Sequence, residues 1–237
     1  MIGVVGPNTD TAGLAEATAG AVVRSEAVEE VLDADPDLVV AVGEPSLCAL
    51  VRAGVDVPVV PVDVGEGVAS VPADRVPTVL ADEGGGGPTT RKLPVFEVAI
   101  DGEPAGRGVF EAMLVTTEPA RISEYAVWAP GWTDRYRADG VVVATPAGSH
   151  GYARTVGGPV LDADAGGLAV VPVAAFAIRS TVRVANSDAT LAIRVERDEG
   201  DISLLVDGHE QTQHVPPGKP VTVHVTGALE AVLPPER

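Results

Sequence analysis

Two hydrophobic rhythms divide the chain. Its first third sets short continuous apolar runs between amphipathic stretches: Ile2 to Gly6, then Asp37 to Gly43 (Asp-Leu-Val-Val-Ala-Val-Gly), then Val57 to Val64. Apolar runs of this length without alternation are the pattern of strands buried on both faces, as in a parallel sheet covered by helices. Between them, the Glu-rich stretch from Glu26 to Leu32 reads as an amphipathic helix, and a second helix runs from about Pro45 to Ala53, where Gly54 is placed to end it. Residues 1–82 are therefore expected to form a small three-layer α/β domain, with its ligand crevice at the strand ends.

Gly84-Gly85-Gly86-Gly87-Pro88 breaks this pattern, and residues 83–90 read as a linker or surface loop, since four glycines hold no conformation cheaply. Beyond them the runs become strand-like and frequent: Val95 to Ile100, Val109 to Thr116, Leu168 to Val173, Thr181 to Val184, Leu191 to Val195, Ile202 to Val206 and Val221 to Val225, separated by Gly, Asp, Asn and Pro. Residues 91–237 are thus expected to be β-rich, with one helix after Ser149 that runs through Tyr152 to about Val156. No repeat or heptad pattern runs through the chain.

Composition narrows the class. Hydrophobic residues make up 46% of the 237 but aromatics only 3%, so the core is built from Val, Ala and Leu. With 34 acidic against 16 basic residues the formal charge is −18, which argues against sequence-independent nucleic-acid binding and against anionic membranes. Lys92 and Lys219 are the only lysines. This balance suits a high-salt cytosol, where screening removes self-repulsion, and points to a halophilic, archaeal source or else a merely acidic mesophile. The single cysteine, Cys48, excludes an internal disulfide and fits a reducing compartment. No basic leader and no run of about 18 apolar residues is present, so a soluble cytoplasmic protein is expected. His209, His214 and His224 show no metal-ligand spacing, and no protein-bound metal is expected.

The stretch with the most chemistry is Arg137-Ala138-Asp139-Gly140-Val141-Val142-Val143-Ala144-Thr145-Pro146-Ala147-Gly148-Ser149-His150-Gly151-Tyr152, running on to Gly157-Gly158-Pro159. A β-branched run opens into a Thr-Pro turn that disfavours helix until Gly148 relaxes the backbone. Such a turn places backbone amides and the hydroxyls of Thr145 and Ser149 at a strand end, where ligands bind.

This segment closely resembles the R-A-D-G…T-P-T-G-S-T-A-Y…G-G-P motif of NAD kinases, with Ala147, His150 and Gly151 at varied positions. The match is good from about residue 108 onward and looser before it. The resemblance implies a two-domain fold, α/β then β-sandwich-like. It implies that the segment holds NAD, with ATP as phosphoryl donor and Mg²⁺ arriving on ATP. By motif position Glu111 (in Phe110-Glu111, for the family's Asn-Glu), Arg137, Asp139, His150, Gly151, Tyr152, Thr155 and His209 (after Val206-Asp207-Gly208) would contact NAD. Arg137 either approaches a phosphate or forms a surface ion pair, and Tyr152 either stacks on a base or packs in the core. The family forms dimers or tetramers, so a homodimer or homotetramer is expected, with the Val173-Ala174-Ala175 strand bringing Ala174 to a neighbour's ligand.

One motif departs. Where the family carries G-G-D-G-T to cradle ATP phosphates and deprotonate the NAD 2′-hydroxyl, this chain has Val42-Gly43-Glu44-Pro45-Ser46. Gly43 and Ser46 take the phosphate-loop positions and Glu44 the position of the base, but Pro45 has no N–H to donate. Pro45 and Glu44 equally suit the first turn of an ordinary helix. Asp63-Val64-Gly65 departs likewise from the family's N-x-G. Three readings follow: a phosphotransferase making NADP, a non-kinase homologue that binds NAD(H) as sensor or partner subunit, and, less favoured, a lipid or sugar kinase.

Overall fold

The computed structural model of the chain describes residues 1–7, 21–81, 88–118, 121–176, 181–208 and 213–234. They fall into two compact units, Met1–Leu93 with Ala228–Arg237, and Pro94–Gly227. Of the linker expected at 83–90, residues 83–87 lie outside the described residues and Thr90 already begins a strand.

The first unit is the expected parallel sheet. β1 (Ile2–Val5) pairs with β2 (Val22–Ser25) and β3 (Leu38–Val42), and β3 pairs with β4 (Val59–Val62), giving the order β2-β1-β3-β4 with all pairs parallel. The apolar runs are buried because both faces are covered: Val4, Val40, Val60, Val62 and Val76 share one core. The helix α1 (Val28–Leu32) buries Val28 and Val31, and α2 (Glu44–Ala53) buries Leu47, Cys48, Leu50 and Val51, the stripe that a 3.6-residue period produces. Gly54 ends α2 in a left-handed conformation, φ 78°, while the Gly54 and Val55 amides bond the Val51 and Leu50 carbonyls. A third helix, α3 (Val76–Ala81), completes the described part.

The second unit is a sandwich of antiparallel sheets. One has the order β12 (Arg183–Asn186), β11 (Gly167–Val173), β10 (Gly140–Ala144), β7 (Glu111–Thr116), β14 (Ile202–Val206), β15 (Gln213–His214). The other runs β9 (Trp132–Ala138), β8 (Ser123–Ala129), β13 (Leu191–Arg197), β16 (Pro220–Val232), with β5 (Thr90–Ile100) and β6 (Glu103–Gly108) paired beside β16. Leu114, Val141, Val143, Leu168 and Leu204 of the first sheet meet Tyr125, Val127, Ile193, Val195 and Val223 of the second in one core. On the outer face, Val142, Ala144, Ala169 and Val171 pack against Ala153 and Leu161 from α4 (Tyr152–Thr155) and the loop after it. β10 is therefore buried on both sides, which is why it reads as unbroken valine.

Three sequence expectations change. Ala228 to Pro234 join the first unit, not a domain of 91–237, because β16 outruns its sandwich: Ala231 pairs in parallel with Val59, and Val232 enters the core around Val4 and Val40. The strand expected through Ala175 stops at Val173, since Ala174 adopts a left-handed φ of 48° that ends the ladder. Two hairpins pass unread: β5–β6, turning on Asp101-Gly102 with φ 54° and 87°, and β8–β9, turning on Pro130-Gly131.

Candidate functional site

The turn after β10 is held by the chain itself. Thr145 is fully buried; its Oγ1 donates to the Val109 carbonyl at 2.6 Å and accepts the Gly148 N–H at 3.1 Å, and its own N–H donates to the Phe110 carbonyl at 2.9 Å. Ser149 is equally buried, donating to the Pro146 carbonyl at 2.7 Å and accepting the Leu161 N–H at 2.9 Å. Both hydroxyls, expected to face a ligand, are engaged inside the protein instead. Gly148 lies directly on the Phe110 backbone, and a Cβ there would stand 2.0 Å from the Phe110 oxygen. Only glycine permits this approach.

The Val109–Glu111 segment is held from its other side by Asp207. This buried carboxylate accepts the N–H groups of Val109 at 2.9 Å, Phe110 at 2.8 Å and Glu111 at 2.9 Å, while the Asp207 N–H donates to the Glu111 carbonyl at 2.8 Å. Glu111 in turn extends its side chain so that Oε2 accepts the Ala153 N–H at 3.2 Å, in the first turn of α4. Tyr152 precedes Ala153 and remains 40% exposed, so it is not a core residue. The helix ends on Gly157, φ 92°, and on Gly158, whose N–H donates to the Ala153 carbonyl at 2.8 Å.

At the opposite end of β10, Asp139 is half-buried in the bend between β9 and β10. Its N–H donates to the Val173 carbonyl, and its carbonyl accepts the Thr116 N–H at 2.8 Å and the Tyr125 hydroxyl at 3.3 Å. Burial pushes the Tyr125 phenol above its usual range. Nearby, burial first and the Asp134 charge second raise Tyr136 to about 12, and the Arg183 guanidinium holds Asp134 below the usual carboxylate range.

In the first unit, the turns after β1, β3 and β4 gather at the carboxyl ends of the parallel strands, where such sheets bind ligands. Gly6, φ 138°, lies against Val42 and Ser46; a Cβ there would meet the Val42 carbonyl oxygen at 2.9 Å and Ser46 Oγ at 3.0 Å. Glu44 opens α2 as an exposed carboxylate whose Oε2 lies 3.9 Å from the place of a Cβ on Gly65. The two departing motifs, Gly43–Ser46 and Asp63–Gly65, are thus neighbours.

Residues 86–231 match the sequence profile of the ATP-NAD kinase C-terminal domain. The chain belongs to the NAD kinase family. It is 30% identical over 186 residues to an NAD kinase of Methanospirillum hungatei and 32% identical over 179 residues to one of Methanoculleus marisnigri, matches that take in 74% and 73% of this chain. The chain spans 66% of the length of each of these two relatives. Among solved structures, yeast NADH kinase complexed with NADH superposes with a TM-score of 0.80 at 15% identity, covering 100% of this chain and 84% of that one. An NAD kinase from Archaeoglobus fulgidus in complex with ATP gives 0.79 at 19% identity, covering 98% and 93%. The fold is that of the NAD kinases.

Within this NAD kinase fold the expected site residues separate into groups. Glu111, His150, Gly151, Tyr152 and Thr155 come together around the start of α4, although the Thr155 hydroxyl donates to the Tyr152 carbonyl at 2.7 Å and does not point away from its own helix turn. Arg137, Asp139 and Ala174 gather at the far end of β10: Asp139 bonds Val173, and the Phe176 N–H donates to the Arg137 carbonyl at 2.7 Å. Arg137 is exposed, 3.5 Å from Glu124 and stacked over the Phe176 ring, which is the surface ion pair. His209 lies outside the described residues. In the first unit the Gly43 N–H already donates to the Val62 carbonyl at 2.8 Å and the Ser46 hydroxyl to the Val42 carbonyl at 2.7 Å, so neither offers that donor to a phosphate as expected; the Glu44 and Ser46 amides stand at the helix start. Sequence reading missed Asp207. The Asp-Gly pair signals the turn, built with positive φ at Asp207 (51°) and Gly208 (66°), but not the three amides that Asp207 accepts.

Proposed function

We propose that the chain transfers the γ-phosphoryl group of ATP to the 2′-hydroxyl of NAD. The observation that carries this reading is in the second unit, where the Glu111 side chain, from the start of β7, reaches the Ala153 N–H in the first turn of α4 beside the exposed Tyr152, within the segment that matches the family profile. Glu111 would accept hydrogen bonds from sugar hydroxyls and Tyr152 would stack on a base. In the reaction the 2′-oxygen forms a bond to the γ-phosphorus, the bond from that phosphorus to the β,γ-bridging oxygen breaks, and ADP leaves. Glu44, in the position of the family's Asp, takes the 2′-hydroxyl proton. The Mg²⁺ of this reaction would arrive on the ATP oxygens.

A second reading, a nucleotide-binding homologue without kinase activity, is favoured by one specific observation. Pro45 has no N–H, and the Gly43 amide and Ser46 hydroxyl are bonded internally, which leaves the phosphate loop poor in donors. The purified chain, incubated with NAD, ATP and Mg²⁺ in molar KCl, is expected to form NADP. Glu44→Gln should lower that rate by about 10²–10⁴-fold while NAD affinity stays within a few-fold. NAD binding by calorimetry without any NADP would select the second reading, and neither binding nor turnover would reject both.

A further inference from the structure

All six backbone polar groups of Val109, Phe110 and Glu111 are bonded to just two residues. The three N–H groups go to the Asp207 carboxylate, the Val109 and Phe110 carbonyls accept from Thr145, and the Glu111 carbonyl accepts the Asp207 N–H. The segment starts β7, and its last residue sends the side chain that engages α4. Its surroundings leave no slack. A Cβ on Gly108 would stand 2.8 Å from both Asp207 carboxylate oxygens, and one on Gly148 would strike Phe110.

We propose that Asp207 is a positioning residue for the nucleotide site: with Thr145 it forms a clamp that fixes the Val109–Glu111 backbone and, through the Glu111 carboxylate, the first turn of α4. The clamp joins the turn that leads to His209 to the loop that leads to Tyr152, so two motifs far apart in sequence act as one rigid body. A carboxylate is required because two oxygens must accept three amides at once. An amide side chain would turn its own N–H groups toward an amide donor. The inference rests on the NAD-binding reading for its consequence, and on the hydrogen-bond pattern alone for its mechanism.

The test therefore has two arms. Hydrogen exchange, which needs no ligand, should show the Ala153 amide exchanging at least about tenfold faster in Asp207→Asn than in wild type, because Glu111 is released. An unchanged rate at Ala153 would overturn the clamp, whether or not NAD binds. In the second arm, calorimetric NAD affinity is measured for Asp207→Asn, Glu111→Gln and the double variant. A clamp acting through Glu111 predicts that the double variant loses little more than Glu111→Gln alone. Losses that multiply would show that Asp207 does not act through Glu111. Should Asp207→Asn fail to fold, Thr145→Val removes the Thr145 bond to the Val109 carbonyl and is read in the same two ways. A wild type that binds no NAD would remove the proposed function and leave the exchange result to judge the clamp.

Discussion

Replacing Gly148 by alanine tests the site where its packing is tightest. The added Cβ would sit 2.0 Å from the Phe110 oxygen, 2.4 Å from its carbonyl carbon and 2.9 Å from its Cα, all backbone atoms that cannot rotate away. Ordinary contact would need the two segments to part by about 1.5 Å. Parting them breaks the Thr145 N–H bond to the Phe110 carbonyl and loads the bonds that Asp207 makes from the other side. Overpacking of this kind costs about 1–3 kcal/mol, and a buried hydrogen bond lost with its partner stranded costs about 1–3 kcal/mol more. The lower backbone entropy of unfolded alanine offsets about 0.4–1 kcal/mol of that. A net loss of about 1–5.5 kcal/mol is expected. Trp128 and Trp132, the two tryptophans of the chain, both lie in the second unit, so their fluorescence during urea unfolding in molar KCl reports the unit that contains Gly148. Gly227→Ala is the control, since nothing lies within 4 Å of its would-be Cβ, and it should change stability by no more than about 0.5 kcal/mol. A Gly148→Ala protein within about 1 kcal/mol of wild type would refute the argument that this contact is closed to a methyl group.

Two further expectations concern assembly and pH. Asp139 is five residue steps from Ala144, the β10 residue that pairs with Glu111, on the order of 17 Å, and Ala174, at the same end, is the residue expected to reach a neighbouring copy's ligand; light scattering in molar KCl should then give a dimer or tetramer, and a monomer at micromolar concentration would contradict it. The raised phenols of Tyr125 and Tyr136 mean that the folded state holds protons the unfolded state releases from pH 10.0 upward, so their contribution is complete below that value and is lost as pH climbs toward about 12; Tyr136→Phe should unfold less steeply across that window, and an unaltered alkaline transition would assign the loss to other groups.

How far the fold could be read in advance depended on burial. β1, β3, β4, β10 and β11 are covered on both faces and stood out as apolar runs, and Gly54 ended α2 where a glycine should. The β8–β9 hairpin escaped because β9 alternates, Trp-Thr-Asp-Arg-Tyr-Arg-Ala, with Thr133, Arg135 and Arg137 facing water. Its Pro130-Gly131 turn, like Asp101-Gly102, was legible and outweighed by composition. At the site, the Glu111 carboxylate reaches the residue after Tyr152, though Glu111 and Tyr152 are 41 positions apart in sequence. Motif order could not tell ligand-facing hydroxyls from structural ones: Thr145, Ser149 and Ser46 carry the same groups whether they serve a nucleotide or a carbonyl of their own chain. Asp207 was hidden for the same reason, since its importance lies in three backbone amides that no side-chain pattern records.

The long strand β16 sets an order on the making of this protein. It begins at Pro220 inside the sandwich and ends at Val232 inside the core of the N-terminal sheet. A ribosome has therefore synthesised the whole of the second unit before the first receives the residue that closes its core. During synthesis the N-terminal sheet waits with an unfilled place beside β4, and a chain that stops before Ala228 leaves that place open. Of the two units, the one that emerges first is completed second.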